Sequence, residues 1–385
     1  MHGIETAYCD VCIQAVIAAW RSIYEAPASE LLSKVPYGKG DTLGFDAIPE
    51  IVIQERLKKF DPHSILITEE LNTDRLQSWP TSPEPIQQPL VSFADPTDRS
   101  KYLKKFLEHI SNDQATEPIG KILKSQQTVK IWEELFEPPG SITGATSAIT
   151  CLRKGVIIFS VILNYISQTI YVACRSGIFM MQLPDFDSDD IDNIFLDRIM
   201  KNGQNLQFPQ IKYSTDDAKS FVTFVGKTGY NENLEDSLIF TNLDGKKIHH
   251  REPGGPARIL YLSELQQSQF NHIGFILANG EKIGEWIHWL AFVKFSHAGG
   301  SENLKIFEIS LDRPWTKDGV LMSTSLPYSM FRDDKVNGVN FLDISRLRPF
   351  DNPSKFRSML VVTPASNERM LFTMRQRDFR EIILK

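Results

Sequence analysis

The stretch Asp95-Pro96-Thr97-Asp98-Arg99-Ser100 decides the fold, and it follows an apolar run at 90–94. Proline restricts the residue before it to extended geometry and helps the chain to turn, so Asp95 and Asp98 are expected to converge while the Thr97 carbonyl points inward. Such oxygen ligands suit Mg²⁺, which is usually held by a few carboxylates plus substrate phosphate. An Asp-Pro-x-Asp motif alone is a common turn, so its order and flanks carry the interpretation.

The flanks of this motif favour a metal and phosphate site. The acidic pair Glu69-Glu70 lies some two dozen residues before the motif, and the segment 100–107 is typical of a helix start. The free amides of that first helical turn would face the same spot, where a phosphate binds. The sequence therefore predicts acidic residues at the ends of neighbouring strands, next to a helix N-terminus.

In this order the motifs resemble the inositol monophosphatase and fructose-1,6-bisphosphatase superfamily. The pattern of that family runs Asp, Glu-Glu, Asp-Pro-(Ile/Leu/Val)-Asp-Gly-(Thr/Ser), and a late Trp-Asp. The other segments that are similar to it are a first amphipathic helix at 4–26, a segment at 40–50 that contains Asp46, a helix at 50–57, a hairpin at 148–162, a buried helix at 284–293 and Trp315-Thr316.

The resemblance implies a layered αβαβα sandwich. Its N-terminal half, at 1–180, would carry the metal site and a helical insertion at about 101–140. The C-terminal half, at 181–385, would close the site. The implied activity is that of a Mg²⁺-dependent phosphomonoesterase, with Mn²⁺ as a substitute, that hydrolyses a small phosphorylated sugar, inositol or nucleotide by metal-activated water.

The resemblance also implies roles for individual residues. The metal ligands would be Glu69, Asp95, Thr97 through its carbonyl, and Asp98. Asp46, Glu70 and Ser100 would be catalytic, because Asp46 with Ser100 would orient and deprotonate the attacking water while Glu70 supports the ligands. Arg99, Ser100 and Thr316 would bind the substrate and its phosphate.

Two positions depart from the family pattern. Arg99 stands where the family has a glycine, so its side chain would either block the phosphate or bind a second phosphate or a carboxylate of the substrate. Thr316 stands where the family has its late aspartate, and Asp318 would replace that aspartate only if the helix there starts late. The alternative to an enzyme is therefore a catalytically inactive member of the family that acts as a ligand- or protein-binding module.

Composition fits a soluble, cytoplasmic protein. The chain has 385 residues, 42% of them hydrophobic, and a net charge of −6, so we expect a two-part core and no nucleic-acid ligand. The start of the chain lacks the pattern of a signal peptide, and the apolar span 155–174 is better explained by two buried strands than by a membrane helix. The four cysteines do not predict a disulfide framework. The expected partner is a small phosphorylated metabolite, and a homodimer stays open.

The segment 185–269 carries weaker signals. The run 221–225 predicts a strand, and Gly226-Lys227-Thr228-Gly229 lacks the first glycine of a phosphate-binding loop, so a strand followed by a turn is the preferred interpretation. His249-His250 precedes Pro253-Gly254-Gly255, which favours a surface turn over a metal site.

Overall fold

The computed structural model of the protein describes most of the first half of the chain and shorter parts of the second. The described ranges are 3–36, 40–68, 90–111, 116–123, 128–136, 144–185, 188–206, 221–225, 248–251, 256, 259–260, 272–279, 283–296, 304–310, 331–334, 338–342, 358–364 and 379–384.

Helices come mainly before the strands of the first sheet. They are α1 (Gly3–Glu25), α2 (Ala28–Leu31), α3 (Gly44–Phe60), α4 (Ser100–Ser111), α5 (Ile119–Leu123), α6 (Thr128–Leu135), α7 (Leu196–Asn202) and α8 (Ile283–Ser296), with a 3₁₀ helix at Asp189–Asn193.

The strands are β1 (Ile65–Thr68), β2 (Val91–Asp98), β3 (Thr146–Arg153), β4 (Val156–Asn164), β5 (Thr169–Cys174), β6 (Gly177–Gln182), β7 (Gln204–Asn205), β8 (Phe221–Val225), β9 (Ile248–Arg251), β10 (His272–Asn279), β11 (Leu304–Ser310), β12 (Phe331–Asp334), β13 (Val339–Leu342), β14 (Ser358–Pro364) and β15 (Phe379–Ile382). Strands β1 and β2 lie among the first helices, whereas β3 to β6 follow one another directly.

Two mixed sheets and one hairpin collect these strands. The first sheet has seven strands in sequence order, β1 to β7, with β1 parallel to β2 and the other neighbours antiparallel. The second has six strands in the order β15-β11-β14-β10-β8-β9. Strands β12 and β13 form a separate two-stranded sheet.

The core lies on both faces of the seven-stranded sheet. Its central strands are buried on both faces, and β4 and β5 accordingly read as nearly continuous apolar runs. One buried cluster joins one face to α1, α3 and α4 to α7. The other joins the opposite face to α8 and the six-stranded sheet. The predicted two-part core is confirmed, since the seven-stranded sheet separates the two buried clusters.

This arrangement confirms the predicted layered α/β class. The described residues supply helix, sheet, helix and sheet in succession, and the fifth predicted layer lies outside them. Helix α8 is apolar on every side because it is packed between two sheets, and it occupies the position predicted for a buried helix. The division of the chain at residue 180 stays a prediction.

Several local predictions can be compared with the structure directly. The hairpin at 148–162 is confirmed as β3 and β4, and the span 155–174 consists of β4, a turn and β5. The predicted strand at 221–225 is confirmed as β8. Within the described ranges, no helix combines the length and apolarity that a bilayer span needs.

The helix predicted at 50–57 is confirmed within α3, which begins earlier, at Gly44. This start packs closely on α2, where a Cβ on Gly44 would collide with the Glu30 carbonyl oxygen. The prediction of a turn at His249-His250 is wrong. His249 and His250 lie in β9 instead of a turn, because that segment pairs with β8 in parallel. The glycines that suggested a turn come after the strand has ended.

Candidate active site

The Asp-Pro-Thr-Asp motif forms a β-bulge at the end of β2. Asp95 pairs with Ala148 of β3, but Asp98 pairs with Thr146, so β2 carries an extra residue between the two aspartates. Proline suits a bulge because it has no N–H for the ladder. Asp95 is almost fully buried, while Asp98 is partly exposed. The bulge thus re-aims the strand end that carries both predicted carboxylate ligands.

Hydrogen bonds to two other segments hold this turn. The Thr97 hydroxyl donates to the Phe45 carbonyl of α3 over 2.8 Å. The Tyr165 hydroxyl, from the turn after β4, donates to the Pro96 carbonyl over 2.8 Å. The backbone between the aspartates is therefore fixed from two sides, and this rigidity positions the site.

Asp46 and Ser100, which the sequence predicts as catalytic partners, are in contact. The Ser100 hydroxyl lies 2.7 Å from Asp46 Oδ1 and 2.9 Å from the Thr97 carbonyl oxygen, so its one hydrogen is shared between two acceptors. Asp46 lies in the first turn of α3, where its Oδ2 accepts from the Leu43 backbone N–H over 3.4 Å. The contact brings the N-terminal turns of α3 and α4 together.

Arg99 precedes α4 with an unusual backbone. Its φ is 66°, in the left-handed region that glycine adopts freely. The turn geometry that a glycine would provide is thus adopted by an arginine. The guanidinium carbon lies 3.9 Å from the centre of the Tyr102 ring, and Tyr102 packs edge-on against Phe136 with ring centres 5.2 Å apart. The side chain of Arg99 is therefore directed along α4 by an aromatic contact.

Tyr165 is a residue of the site that sequence reasoning missed. Burial, together with the negative charges of Asp95 and Asp46, raises the pKa of its phenol. The phenol therefore stays protonated and keeps donating to the Pro96 carbonyl. No local pattern marks this tyrosine, because its contact spans 69 positions of the chain.

Glu50 is the second residue that was missed. It lies one turn after Asp46 on α3, is completely buried, and accepts from the Thr68 hydroxyl at the end of β1 over 2.7 Å. Thr68 pairs with Ala94 of β2, so the ends of β1 and β2 are in register.

Part of the predicted site falls outside the described residues. Glu69, Glu70, Thr316 and Asp318 belong to that part. Among the residues that the structure does describe, no three His, Cys, Asp or Glu side chains form a group that holds a metal ion.

The donors that are described nevertheless fit a hard cation. Asp95 and Asp98 offer carboxylate oxygens and Thr97 offers a carbonyl oxygen, all on one bulge. Proteins usually hold Mg²⁺ through one or two carboxylates, with waters and substrate phosphate completing the shell. Asp95 is 4% exposed, and a buried carboxylate is stabilised by a nearby cation.

A cleft of about 650 Å³ opens elsewhere, between α1 and the C-terminal part of α3. Its lining residues are Asp10, Val11, Gln14, Glu55, Arg56, Lys59, Phe60 and Phe195. The nearest of them on α3, Glu55, lies about 14 Å along the helix axis from Asp46, at 1.5 Å per residue. The cleft is therefore separate from the candidate site.

Comparison with known proteins gives structural matches only. No protein-family model matches the chain, and no curated protein sequence matches it significantly. The chain is similar to CysQ from Bacteroides thetaiotaomicron, a bacterial member of the inositol monophosphatase family, with 12% identity, a TM-score of 0.48 and coverage of 94% of this chain and 96% of that one.

Two further solved structures are similar over most of their length. For an inositol monophosphatase from Anabaena (Nostoc) sp. the identity is 11%, the TM-score 0.48 and the coverage 96% and 97%. For the extragenic suppressor protein SuhB from Bartonella henselae the values are 14%, 0.46, 79% and 87%. The CysQ description names the inositol monophosphatase family, and the Anabaena protein is itself named an inositol monophosphatase.

Proposed function

We propose that the protein is a Mg²⁺-dependent phosphomonoesterase of the inositol monophosphatase type, acting on a small phosphorylated sugar, inositol or nucleotide. The observation that carries the proposal is the 2.7 Å contact between Ser100 and Asp46 at the N-terminus of α4. It puts a carboxylate suited to general-base work beside a helix start suited to phosphate, next to the acidic bulge of β2.

The described residues support a division of labour. Asp95, Asp98 and the Thr97 carbonyl, with Glu69 from outside the described ranges, would hold Mg²⁺, or Mn²⁺ in its place. When bound, such a cation supplies Lewis acidity and lowers the pKa of a coordinated water. Ser100 would take a proton from the attacking water and pass its own hydroxyl proton to Asp46 Oδ1, the atom that it already contacts.

The substrate's phosphate would lie on the first turn of α4. The Tyr102 and Leu103 backbone N–H groups of that turn donate to the Arg99 carbonyl, so the Ser100 and Lys101 N–H groups would be the ones that meet the anion. Thr316 would contribute a hydroxyl to the phosphate, and Glu70 would support the ligand set. Arg99 would hold a second phosphate or a carboxylate, because its guanidinium is a planar fork of N–H donors and its contact with the Tyr102 ring restricts its orientation.

A second candidate is a non-catalytic binding module that keeps this fold. The left-handed arginine favours it, since a large side chain follows Asp98 at the position where the resembled family has a glycine. The substitution of threonine for the late aspartate, at Thr316, favours it as well.

Free, buried cysteines support the proposed cytoplasmic setting. Cys9, Cys12, Cys151 and Cys174 are all buried and none is in a disulfide. Burial raises the pKa of the Cys151 thiol to about 12, so that thiol stays protonated at neutral pH. Such cysteines are typical of a packed interior in a reducing compartment.

The test is Mg²⁺-dependent release of phosphate from a panel of sugar, inositol and nucleotide phosphates. Asp46→Asn should lower the rate by about 10²-fold or more, because it removes the general base. Asp189→Asn, an exposed aspartate of the 3₁₀ helix, is the control and should leave the rate unchanged. Thr316→Asp should raise the rate, since it restores a charged ligand.

The same measurements distinguish the enzyme from the non-catalytic binding module. If wild type, Arg99→Gly and Thr316→Asp all leave every phosphate intact while still binding Mn²⁺, the enzyme proposal fails and the binding module stands.

A further inference from the structure

Glu50 is a completely buried carboxylate that the mechanism above does not use. Its Oε1 accepts from the Thr68 hydroxyl over 2.7 Å and from the Gln54 side-chain amide over 3.3 Å. A carboxylate without exposure needs such donors, because burial of a charge is costly unless it is hydrogen-bonded. The short contact with Thr68 is therefore a strong link between α3 and β1.

The two ends of this link both lead to the candidate site. On α3, Glu50 is four positions after Asp46, so the two side chains lie on the same face of the helix. On β1, Thr68 is the last residue of the strand and directly precedes Glu69 in the sequence. The Glu50–Thr68 contact thus connects the helix that carries the proposed base to the strand that leads into a proposed metal ligand.

A second tie binds the same helix to the neighbouring strand. The Thr97 hydroxyl of β2 donates to the Phe45 carbonyl of α3. Together the two contacts fix α3 against the ends of β1 and β2. These strands are parallel neighbours, and Thr68 of β1 pairs with Ala94 of β2.

We propose that Glu50 is a positioning residue that fixes the end of β1, at Thr68, relative to the Asp46–Ser100 pair. This inference rests on the proposed function. Residues that orient metal ligands from behind typically change metal affinity or activity by about 10- to 100-fold when they are mutated. Glu50 acts on the site through Thr68, without touching the substrate.

The experiment measures Mn²⁺ affinity by electron paramagnetic resonance of the free ion, with the thermal midpoint of each metal-free variant as a second readout. Thr68→Val removes the hydroxyl with little change of shape, and Thr68→Ser restores it. Thr150→Val is the control, because the buried Thr150 hydroxyl also makes a 2.7 Å contact, with Ser160, and its other contact is with His288 of α8 instead of with α3.

We expect the Mn²⁺ affinities of Thr68→Val and Glu50→Gln to be lower than that of wild type by about 10-fold or more. Thr68→Ser should bind within about twofold of wild type, and Thr150→Val should lower the thermal midpoint without changing the affinity. Wild-type affinity in Thr68→Val and Glu50→Gln would overturn the inference alone. A wild-type protein that binds no Mn²⁺ would overturn the proposed metal site and the inference with it.

Discussion

At the scale of single residues, Arg99 combines strain with a compensating contact. Its left-handed backbone costs a residue with a Cβ about 1–2 kcal/mol. A cation–π contact such as that with Tyr102 returns about 0.5–1 kcal/mol at an exposed site. Packing therefore does not fully offset the strain, and a non-glycine residue kept in this conformation is typical of a functional position.

Substitutions at position 99 separate the backbone strain from the contact between the guanidinium and Tyr102. Arg99→Gly should be more stable than Arg99→Ala by about 1 kcal/mol, because both lose the guanidinium but only alanine keeps the strain. At Lys105, exposed within α4, the order should reverse and Lys105→Ala should be the more stable of the pair. Urea unfolding measures both differences. An alanine variant at position 99 that matches or exceeds the glycine variant would contradict the left-handed assignment.

His288 shows the cost of burying a titratable group. It is fully buried on α8, and its Nδ1 lies 2.9 Å from the Thr150 hydroxyl oxygen. Burial lowers the pKa of His288 from 6.5 to about 3. Between pH 6.5 and about pH 3, the histidine therefore binds a proton in the unfolded chain but not in the folded protein. The free energy of unfolding must fall as the pH falls through this range.

The free energy of unfolding of wild type should accordingly decrease from about pH 7 to about pH 5, and that of His288→Gln should decrease less. Glutamine has no proton to gain in this range, so the difference between the two curves isolates the histidine. Denaturant unfolding at a series of pH values gives both curves. Parallel curves would show that His288 is not held neutral in the folded state.

At the scale of elements, the helix α3 contains a proline, Pro49, close to the candidate site. Pro49 has no N–H, so the carbonyl of Phe45, four positions earlier, lacks its usual intrahelical donor. The Thr97 hydroxyl supplies a donor to that carbonyl. The proline thus leaves an acceptor for the β2 bulge, and the helix start and the bulge are held together.

A double-mutant cycle tests this link. Thr97→Val should cost about 1–3 kcal/mol in wild type, because it leaves the buried Phe45 carbonyl without its donor. In Pro49→Ala the new N–H can bond to the same carbonyl, so the cost of Thr97→Val should be smaller by about 0.5 kcal/mol or more. Equal costs in the two backgrounds would show that Pro49 and Thr97 act independently.

The elements also show what sequence patterns reveal and what they miss. The two strands within 155–174 were predictable from their apolar, β-branched pattern, whereas the hairpin at 148–162 and the helix at 284–293 were predicted from the family resemblance. The start of α3, where Gly44 approaches α2 closely, was not predicted. Tyr165 and Glu50 were missed because their contacts, with Pro96 and Thr68, join separate elements.

At the scale of the whole molecule, the fold brings three element ends to one place. The bulge of β2, the first turn of α3 and the first turn of α4 meet through Thr97, Asp46 and Ser100. The seven-stranded sheet supports this junction from behind, with a buried cluster on each face. The central claim is that this junction holds a divalent cation through Asp95.

Mn²⁺ titration of wild type and Asp95→Asn tests that claim most directly. Because Asp95 and Asp98 are like charges on one bulge, a bound cation should relieve their repulsion and stabilise the fold. Wild type and the control Asp189→Asn should bind Mn²⁺ saturably and gain thermal stability with it, whereas Asp95→Asn should lose both effects. Equal binding and equal stabilisation of wild type and Asp95→Asn would contradict the account.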